Sequence, residues 1–323
     1  MKDYIYEDAR IRLRENDLLS GNDYEQLLAE PDYASALTFL RDKGWGDPSV
    51  AQSGEEMLRS EEKKAWDLME ELIPGSTLLD TLRLSRDYHN LKAAIKQFYT
   101  DSPLSPERLY QEGGTLPLAL IRRAVEEQDF DPLPEAMQGA AREATEVLAR
   151  TGDGQLCDII LDKAALEALL EAGEKAPDPV LREYAQVRVA AANIRTALRG
   201  AAGGRNLEEI QSMLVDMPEL GSYALAESAL GGRQAVADYL STGAFWVLSE
   251  ALRRSMSAFE CACDNLLIER IRPQRNESEK PGPLAAYVIA RECEIKSVRL
   301  LLSGKLNHLP EALLRENIRD SYA

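Results

Sequence analysis

Apolar residues recur along this chain at the three-to-four-residue spacing of α-helices. Residues 3–19 carry Ile5, Ala9 and Leu13 with charged residues between them, which predicts an amphipathic helix. The same pattern predicts helices over three further stretches, each ended by glycine or proline, at residues 32–41, 54–72 and 78–99. The segments between later breaks have helical length and lack the alternation of period two that marks strands.

The composition agrees with the pattern. Alanine and leucine together fill about a quarter of the chain, whereas valine, isoleucine and threonine fill about a tenth. Strands favour the β-branched residues and helices favour alanine and leucine. We therefore predict an all-α protein.

Three segments of the chain resemble one another. In each, a small polar residue is followed two positions later by a basic residue, and a short helix with an acidic start comes next. The small polar residues, separated by 103 and 104 positions, are Asn90, Asn193 and Ser297, and the basic ones are Lys92, Arg195 and Arg299. A period of this size is that of a small domain and is longer than a solenoid repeat.

The simplest interpretation is three similar helical domains in tandem, at residues 1–113, 114–216 and 217–323. A chance similarity between amphipathic helices is the alternative.

The balance of charges narrows the function. With 38 basic and 55 acidic residues among 323, the formal net charge is −17, which argues against a nucleic-acid binder because phosphates require surplus basic side chains. The N-terminus has no apolar signal region, and no apolar run has the length of a membrane span. Four cysteines are too few for a disulfide scaffold, so we expect a cytoplasmic, reduced protein.

Motifs that carry chemistry are missing from the sequence. It contains no phosphate-binding loop and no paired metal-binding histidines, since the only histidines are His89 and His308. We interpret His89 as structural, and Cys261 and Cys263 as buried thiols. Pairs of glutamates such as Glu61 and Glu62 are interpreted as a solvated helix face. We therefore expect no catalytic residue, no cofactor and no metal.

The end of the chain resembles a known family. Residues 284–315 contain a charged helix, the sequence SGKLNHLPE and a final basic helix, an arrangement similar to the ending of the C subunit of bacterial and archaeal V/A-type ATPases, whose eukaryotic counterpart is the d subunit. The sequences YIYEDARIRLRENDLLS at residues 4–20 and DYHNLK at residues 87–92 are also similar to that family. The middle third matches only loosely, around Asn193 and Arg195.

This resemblance implies three similar helical domains around a pseudo-threefold axis, forming a funnel. It also implies a non-catalytic rotor subunit at the cytoplasmic face of the membrane, without a span of its own. The expected partners are the central shaft, formed by the D and F subunits, and the proteolipid ring, and the expected role is to transmit torque between ATP chemistry and ion movement.

One cluster is basic within this acidic chain, at Arg270, Arg272 and Arg275. It is a candidate contact with the ring or with anionic lipid headgroups, and an ordinary solvated loop is the alternative. Two other functions remain open on the residues alone. One is a helical-repeat adaptor that scaffolds other soluble partners, and the other is an all-helical enzyme that uses carboxylates.

Overall fold

A computed structural model describes residues 4–99 and 109–323 of the chain. Its helices, numbered in chain order, are α1 Ile5–Glu15, α2 Gly21–Ala29, α3 Tyr33–Asp42, α4 Gly54–Leu72, α5 Leu84–Tyr99, α6 Leu118–Glu127, α7 Glu135–Thr151, α8 Gly154–Lys175, α9 Pro179–Ala202, α10 Leu207–Met213, α11 Ser222–Leu230, α12 Gly232–Leu240, α13 Ser249–Arg254, α14 Met256–Ile271, α15 Gly282–Leu306 and α16 Glu311–Arg315. Short 3₁₀ helices cover Asp80–Leu82, Trp246–Leu248 and Arg272–Asn276.

The all-α prediction is confirmed, since about 73% of the protein is helical and the described residues contain no strand. Several helices begin where local chemistry dictates. Ser20, Ser53 and Asn206 each accept a hydrogen bond from the amide three residues later, and the acidic side chain at that later residue returns a contact to the cap amide. Such reciprocal caps satisfy amides that the first helical turn leaves unpaired.

Contacts group the chain into two compact units, each assembled from separate segments. Unit 1 comprises residues 1–77, 178–187 and 246–323, and unit 2 comprises residues 78–177 and 188–245. The division into three domains at residues 1–113, 114–216 and 217–323 stays a prediction, as does their arrangement as a funnel.

The core of unit 1 is built around α15, the longest helix in the described part of the chain. It packs against α4, α3 and α1. Apolar side chains from α2 and α3, among them Leu27, Leu37 and Leu40, join Val298 and Leu301 of α15 in one buried cluster. The first and last parts of the chain therefore share one core.

The core of unit 2 is formed by α5, α6, α7 and α8. Leu91 and Ile95 of α5 lie against Ile121 of α6, and Ala141 of α7 and Leu161 of α8 close the cluster. These side chains are all apolar, so burial of hydrocarbon stabilises this cluster.

Helix α1 is turned opposite to what its apolar stripe suggests. An amphipathic helix ordinarily faces the core with its apolar side, yet Ile5, Ala9 and Leu13 are exposed here. The buried side carries Ile11 together with acidic residues, among them Glu15. The helix is correctly predicted, but the predicted stripe lies outward and the side that packs is largely acidic.

Candidate subunit-binding site

The three arginines of the predicted basic cluster lie at the end of α14 and in the 3₁₀ helix that follows it. Arg270 forms an ion pair with Glu183. Arg272 Nη2 donates to the carbonyl oxygen of Ser321 at 2.9 Å, and Arg275 Nη1 donates to that of Tyr322 at 3.1 Å. Each arginine thus holds a group of the same chain, although Arg272 and Arg275 also remain exposed. Their contact with the ring stays a prediction.

The segment that Arg272 and Arg275 hold, residues 317–323, lies across unit 1. Within it, Arg319 N donates to Ser297 Oγ of α15 at 3.0 Å, and Ser321 Oγ donates to the carbonyl of Leu19 at 2.6 Å. Tyr322 is buried, and its hydroxyl lies 3.3 Å from Glu15 Oε1 of α1. We call this segment the C-terminal strap. It connects α1, α14 and α15 through hydrogen bonds that no short-range sequence pattern could have indicated.

A network of charges lies inside unit 1. Arg291 of α15 forms an ion pair with Glu294 one turn away, and its Nη1 lies 3.6 Å from Glu61 Oε2 of α4. Glu61 Oε1 also accepts from the amide of Gly46 at 2.8 Å and from Lys64 Nζ at 2.6 Å. The interpretation of Glu61 as part of a solvated helix face was therefore wrong, because this side chain is buried.

Aromatic rings complete the surroundings of the network. The Arg291 guanidinium lies 5.7 Å from the ring centre of Trp45 and 5.9 Å from that of Tyr287, within the range of cation–π attraction. Glu294 also accepts a hydrogen bond from the amide of Leu19. The network therefore ties α15 to α4 and to the turn between α1 and α2.

Burial changes the proton affinity of the carboxylate in this network. Desolvation, together with the nearby charge of Glu61, raises the pKa of Glu294 to about 7, against the attraction of Arg291 and the hydrogen bond from Leu19. Burial likewise raises the pKa of Tyr24, which lies near Glu294 and Cys293. The loss of hydration therefore affects the pKa of Glu294 more strongly than the attraction of Arg291 does.

Another buried acid, Asp264 of α14, joins the strap to the same long helix. Its two carboxylate oxygens accept from Lys296 Nζ at 2.7 Å and from Arg319 Nε at 3.1 Å. Asp264 is almost fully buried, whereas Lys296 and Arg319 are partly exposed. This pairing satisfies the acid and fixes the start of the strap.

The three positions of the sequence repeat make the same kind of hydrogen bond. The Asn90 side chain exchanges two hydrogen bonds of 2.8 Å with the backbone of Gln111, and Asn193 exchanges bonds of 2.8 and 3.0 Å with Val215. Ser297 accepts one from the amide of Arg319. The partner lies 21, 22 and 22 residues further along the chain, respectively. This common geometry supports the interpretation of the three segments as one repeat.

The other side chains singled out in the sequence have structural surroundings. His89 Nε2 lies 3.0 Å from the carbonyl oxygen of Leu109, and His308 is exposed. Cys261 and Cys263 are buried thiols, as predicted. Over residues 4–99 and 109–323, no group of histidine, cysteine and acidic side chains is arranged to hold a metal ion. No helix in that part of the chain is long and apolar enough to cross a membrane.

Together these features define an all-helical protein whose buried charges serve its own packing. The chain belongs to the family described as ATP synthase (C/AC39) subunit, whose model matches residues 8–317. The family makes it a structural component of a V/A-type rotary ATPase, and it confirms the resemblance found in the sequence.

Individual relatives match over most or all of their lengths. The chain is 25% identical over 323 residues to the C subunit of the V-type sodium ATPase of Enterococcus hirae, covering 97% of both proteins. It is 27% identical over 337 residues to the C subunit of the V-type ATP synthase of Thermus thermophilus, covering 98% of each. The C subunit of the A-type ATP synthase of Methanocaldococcus jannaschii is 24% identical over 349 residues, covering 96% of this chain and 85% of that protein.

Proposed function

We propose that this chain is the non-catalytic central-stalk subunit that links the shaft, formed by the D and F subunits, to the proteolipid ring at the cytoplasmic face of the membrane. The observation that carries the proposal is the full-length match to proteins named as the C subunits of V-type enzymes, at 97–98% of both chains for two of them. A match this complete supports the same role for the whole chain.

The interior of unit 1 suits a part that transmits torque. The 25-residue helix α15 is about 37 Å long, and it is fixed by Arg291 and Glu294 in its middle and by the strap at Ser297. Close-packed helices have low compressibility and pass strain between their ends. Bonds that join distant chain segments make the unit resist shear as well as bending.

We propose a non-catalytic role because the buried acid with a raised pKa, Glu294, is already bonded to groups of the same chain. The pKa of Glu294 is raised, as that of a general acid would be. However, both of its oxygens are engaged, one by Leu19 and the other by Arg291. A substrate would have to displace these contacts inside the core, so we assign ATP chemistry to other subunits.

A binding experiment tests the link to the shaft. Purified chain is mixed with the D and F subunits from the same source and separated by size exclusion across a range of salt concentrations. We expect a stable ternary complex. Separate elution at every salt concentration would contradict the proposed contact with the shaft.

A coupling experiment tests the torque role. The rotary ATPase is reconstituted in vesicles with and without the chain, and ATP hydrolysis and ion uptake are measured together. We expect hydrolysis to continue without the chain while ion uptake is lost. Equal ion uptake in both preparations would exclude this role.

The basic cluster is tested separately, because Arg272 and Arg275 also support the strap. Arg272 is the most informative of the three. Its side chain is exposed, and it donates to the backbone carbonyl of Ser321. Ring binding is compared for R272A and for the triple alanine variant that also replaces Arg270 and Arg275. Weaker binding in both, at unchanged thermal stability, supports a ring contact. Unchanged binding in both contradicts it.

A further inference from the structure

The outer face of α1 is apolar although it lies at the surface. We define the outer apolar face by Ile5, Tyr6, Ala9 and Leu13, of which Tyr6 is 63% and Leu13 67% exposed. Ile5 and Ala9 are exposed as well. Positions separated by three and four residues lie on the same side of a helix. The four side chains therefore form one continuous strip at the surface.

Specific contacts on the opposite side hold the strip outward. Glu15 is buried, and its Oε2 accepts a hydrogen bond of 2.8 Å from Arg12 Nη1. Arg12 Nη2 donates at 2.6 Å to the carbonyl oxygens of both Gln274 and Glu277. Tyr322 of the strap also contacts Glu15. Rotating α1 to bury the strip would break the bonds to Gln274, Glu277 and Tyr322, so the apolar side stays at the surface.

The strip has a polar border of ion pairs. Arg10 Nη2 lies 2.8 Å from Glu71 Oε1, and Arg14 Nη1 lies 3.2 Å from Asp17 Oδ2. An apolar centre with a polar rim is the usual anatomy of a protein–protein interface. Because each arginine is paired with an acid, the border offers no surplus of positive charge to an anionic membrane, and the chain as a whole carries −17.

The small residue in the middle of the strip indicates the shape of what covers it. Ile5, Ala9 and Leu13 lie four residues apart and form a ridge, in which Ala9 leaves a notch between two larger side chains. Helices pack by fitting side chains of one into such gaps of the other. A lipid surface gains nothing from a notch, whereas a partner helix does.

The size of the strip argues for a partner that is held elsewhere too. An 11-residue helix is about 16 Å long, and its single face falls well short of the roughly 800 Å² that each partner buries in a stable two-body interface. A dimer of this chain through α1 alone would therefore be weak. Within a larger assembly, other contacts hold the chain and the strip adds to them.

We propose that the outer apolar face of α1 docks an amphipathic helix of another subunit of the rotary ATPase. The proposal rests on the proposed function, since it takes the partner from the same assembly. The partner helix places one side chain over Ala9 and apolar groups beside Tyr6 and Leu13. Its polar flanks face the ion pairs formed by Arg10 and Arg14.

The test measures assembly of the full-length chain with the remaining subunits of the rotary ATPase, co-expressed from the same source. In L13Q an exposed leucine becomes polar, and L230Q is the matched control because Leu230 ends helix α11 and is 51% exposed. We expect L13Q to bind about tenfold more weakly or worse, as loss of one buried leucine implies. We expect L230Q to bind as the wild type, and both variants to keep its thermal midpoint.

A second variant, A9L, distinguishes the packing of a helix from non-specific hydrophobic association. Leucine at this position fills the notch while adding apolar area, so docking of a helix is expected to weaken. Stronger assembly of A9L than of wild type would overturn the helix as the occupant. Wild-type assembly of L13Q would overturn the proposal while leaving the proposed function intact, whereas failure of the wild-type chain to assemble would overturn both.

Two further measurements test other occupants directly. Light scattering of the isolated chain at high concentration detects a dimer, and flotation with vesicles of phosphatidylcholine and phosphatidylglycerol detects lipid binding. We expect a monomer and no flotation. A dimer, or bound vesicles, that L13Q abolishes and L230Q retains would overturn the proposed partner.

Discussion

The two units of this protein solve the same packing problem with different chemistry. Unit 1 buries Glu61, Arg291, Glu294 and Asp264 among its helices. Unit 2 also buries an acid, Asp87, but its carboxylate accepts from the amides of Thr115 and Leu116. The buried amides of Asn90 and Asn193 bind backbone groups in the same way. Buried charges of unit 1 therefore form ion pairs, whereas the buried acid and amides of unit 2 form hydrogen bonds with the backbone.

The difference teaches what the charges contribute. A buried ion pair adds little net stability, because desolvation offsets its attraction, but removing one partner is costly. In unit 1 the charges join segments far apart in the chain, such as Glu61 of α4 and Arg291 of α15. We infer that they select one arrangement of those segments, while the apolar contacts supply most of the stability.

The largest expected effect comes from removing the shared cation of the network. R291M leaves Glu61 and Glu294 buried without their guanidinium, which we expect to lower the free energy of unfolding by about 3–5 kcal/mol. The measurement is urea unfolding followed by labelling of the buried thiols. Cys261, Cys263 and Cys293 report on unit 1, and Cys157 reports on unit 2.

The control for this prediction is an exposed ion pair in the other unit. Arg123 lies 3.0 Å from Glu127 at the surface of α6, so we expect R123M to leave the unfolding midpoint unchanged. If R291M exposed Cys157 as early as the thiols of unit 1, the two units would unfold as one. The two units would then differ in the groups that they bury but not in the urea concentration at which they unfold.

The next effect concerns pH. Glu294 in the folded protein has a pKa of about 7, raised from an ordinary value of 4.5. Between these values the folded state keeps a proton that the unfolded chain releases, so this group lowers stability as the pH rises. The variant E294Q is neutral at every pH and lacks this loss. As the pH rises from 4.5 to 7, we therefore expect the free energy of unfolding of E294Q to rise by up to about 3 kcal/mol relative to that of wild type.

Urea unfolding of wild type and E294Q at several pH values measures this difference. Glutamine keeps an oxygen to accept from Leu19, so the variant changes charge more than shape. R123M serves again as the control, because its ion pair lies at the surface and its pH profile should follow that of wild type. Parallel pH profiles for E294Q and wild type would contradict the raised pKa.

Much of the fold could be predicted from the sequence because helical periodicity is local. The predicted helix at residues 54–72 coincides with α4, and the predicted stretch at 78–99 contains α5. Periodicity indicates which residues share a face, but the direction of that face depends on distant partners. Helix α1 shows the limit, since its orientation is set by bonds to residues beyond position 270.

The candidate site was harder to predict for a similar physical reason. Glu61 and Glu62 are neighbours in a run of charges, and only the fold brings Arg291 to one of them. The basic cluster was visible in the sequence, but the strap residues that Arg272 and Arg275 bind lie 49 and 47 residues further on. By contrast, the repeat of Asn90, Asn193 and Ser297 was found because each position keeps a small polar residue at a nearly constant spacing.

A smaller effect is expected from the amide bonds of unit 2. N193A removes both hydrogen bonds to Val215 and leaves that buried backbone amide and carbonyl without a partner, at a cost of about 1–3 kcal/mol. N90A removes the corresponding bonds to Gln111, which is more exposed, so we expect it to cost less. Thermal unfolding of the two variants measures the difference. A larger loss for N90A would show that water does not compensate at Gln111.

The smallest effect is expected at the third repeat position. Ser297 accepts a hydrogen bond from the amide of Arg319, and the same arginine is also held by Asp264 through its side chain. S297A should therefore cost about 1 kcal/mol or less, since the ion pair keeps the strap in place. The double variant S297A/R319M should lose more than the sum of the single variants, because each contact limits the loss when the other is removed. Thermal unfolding of the three variants measures these losses. Purely additive losses would show that the ion pair between Arg319 and Asp264 does not compensate for the missing hydrogen bond of Ser297.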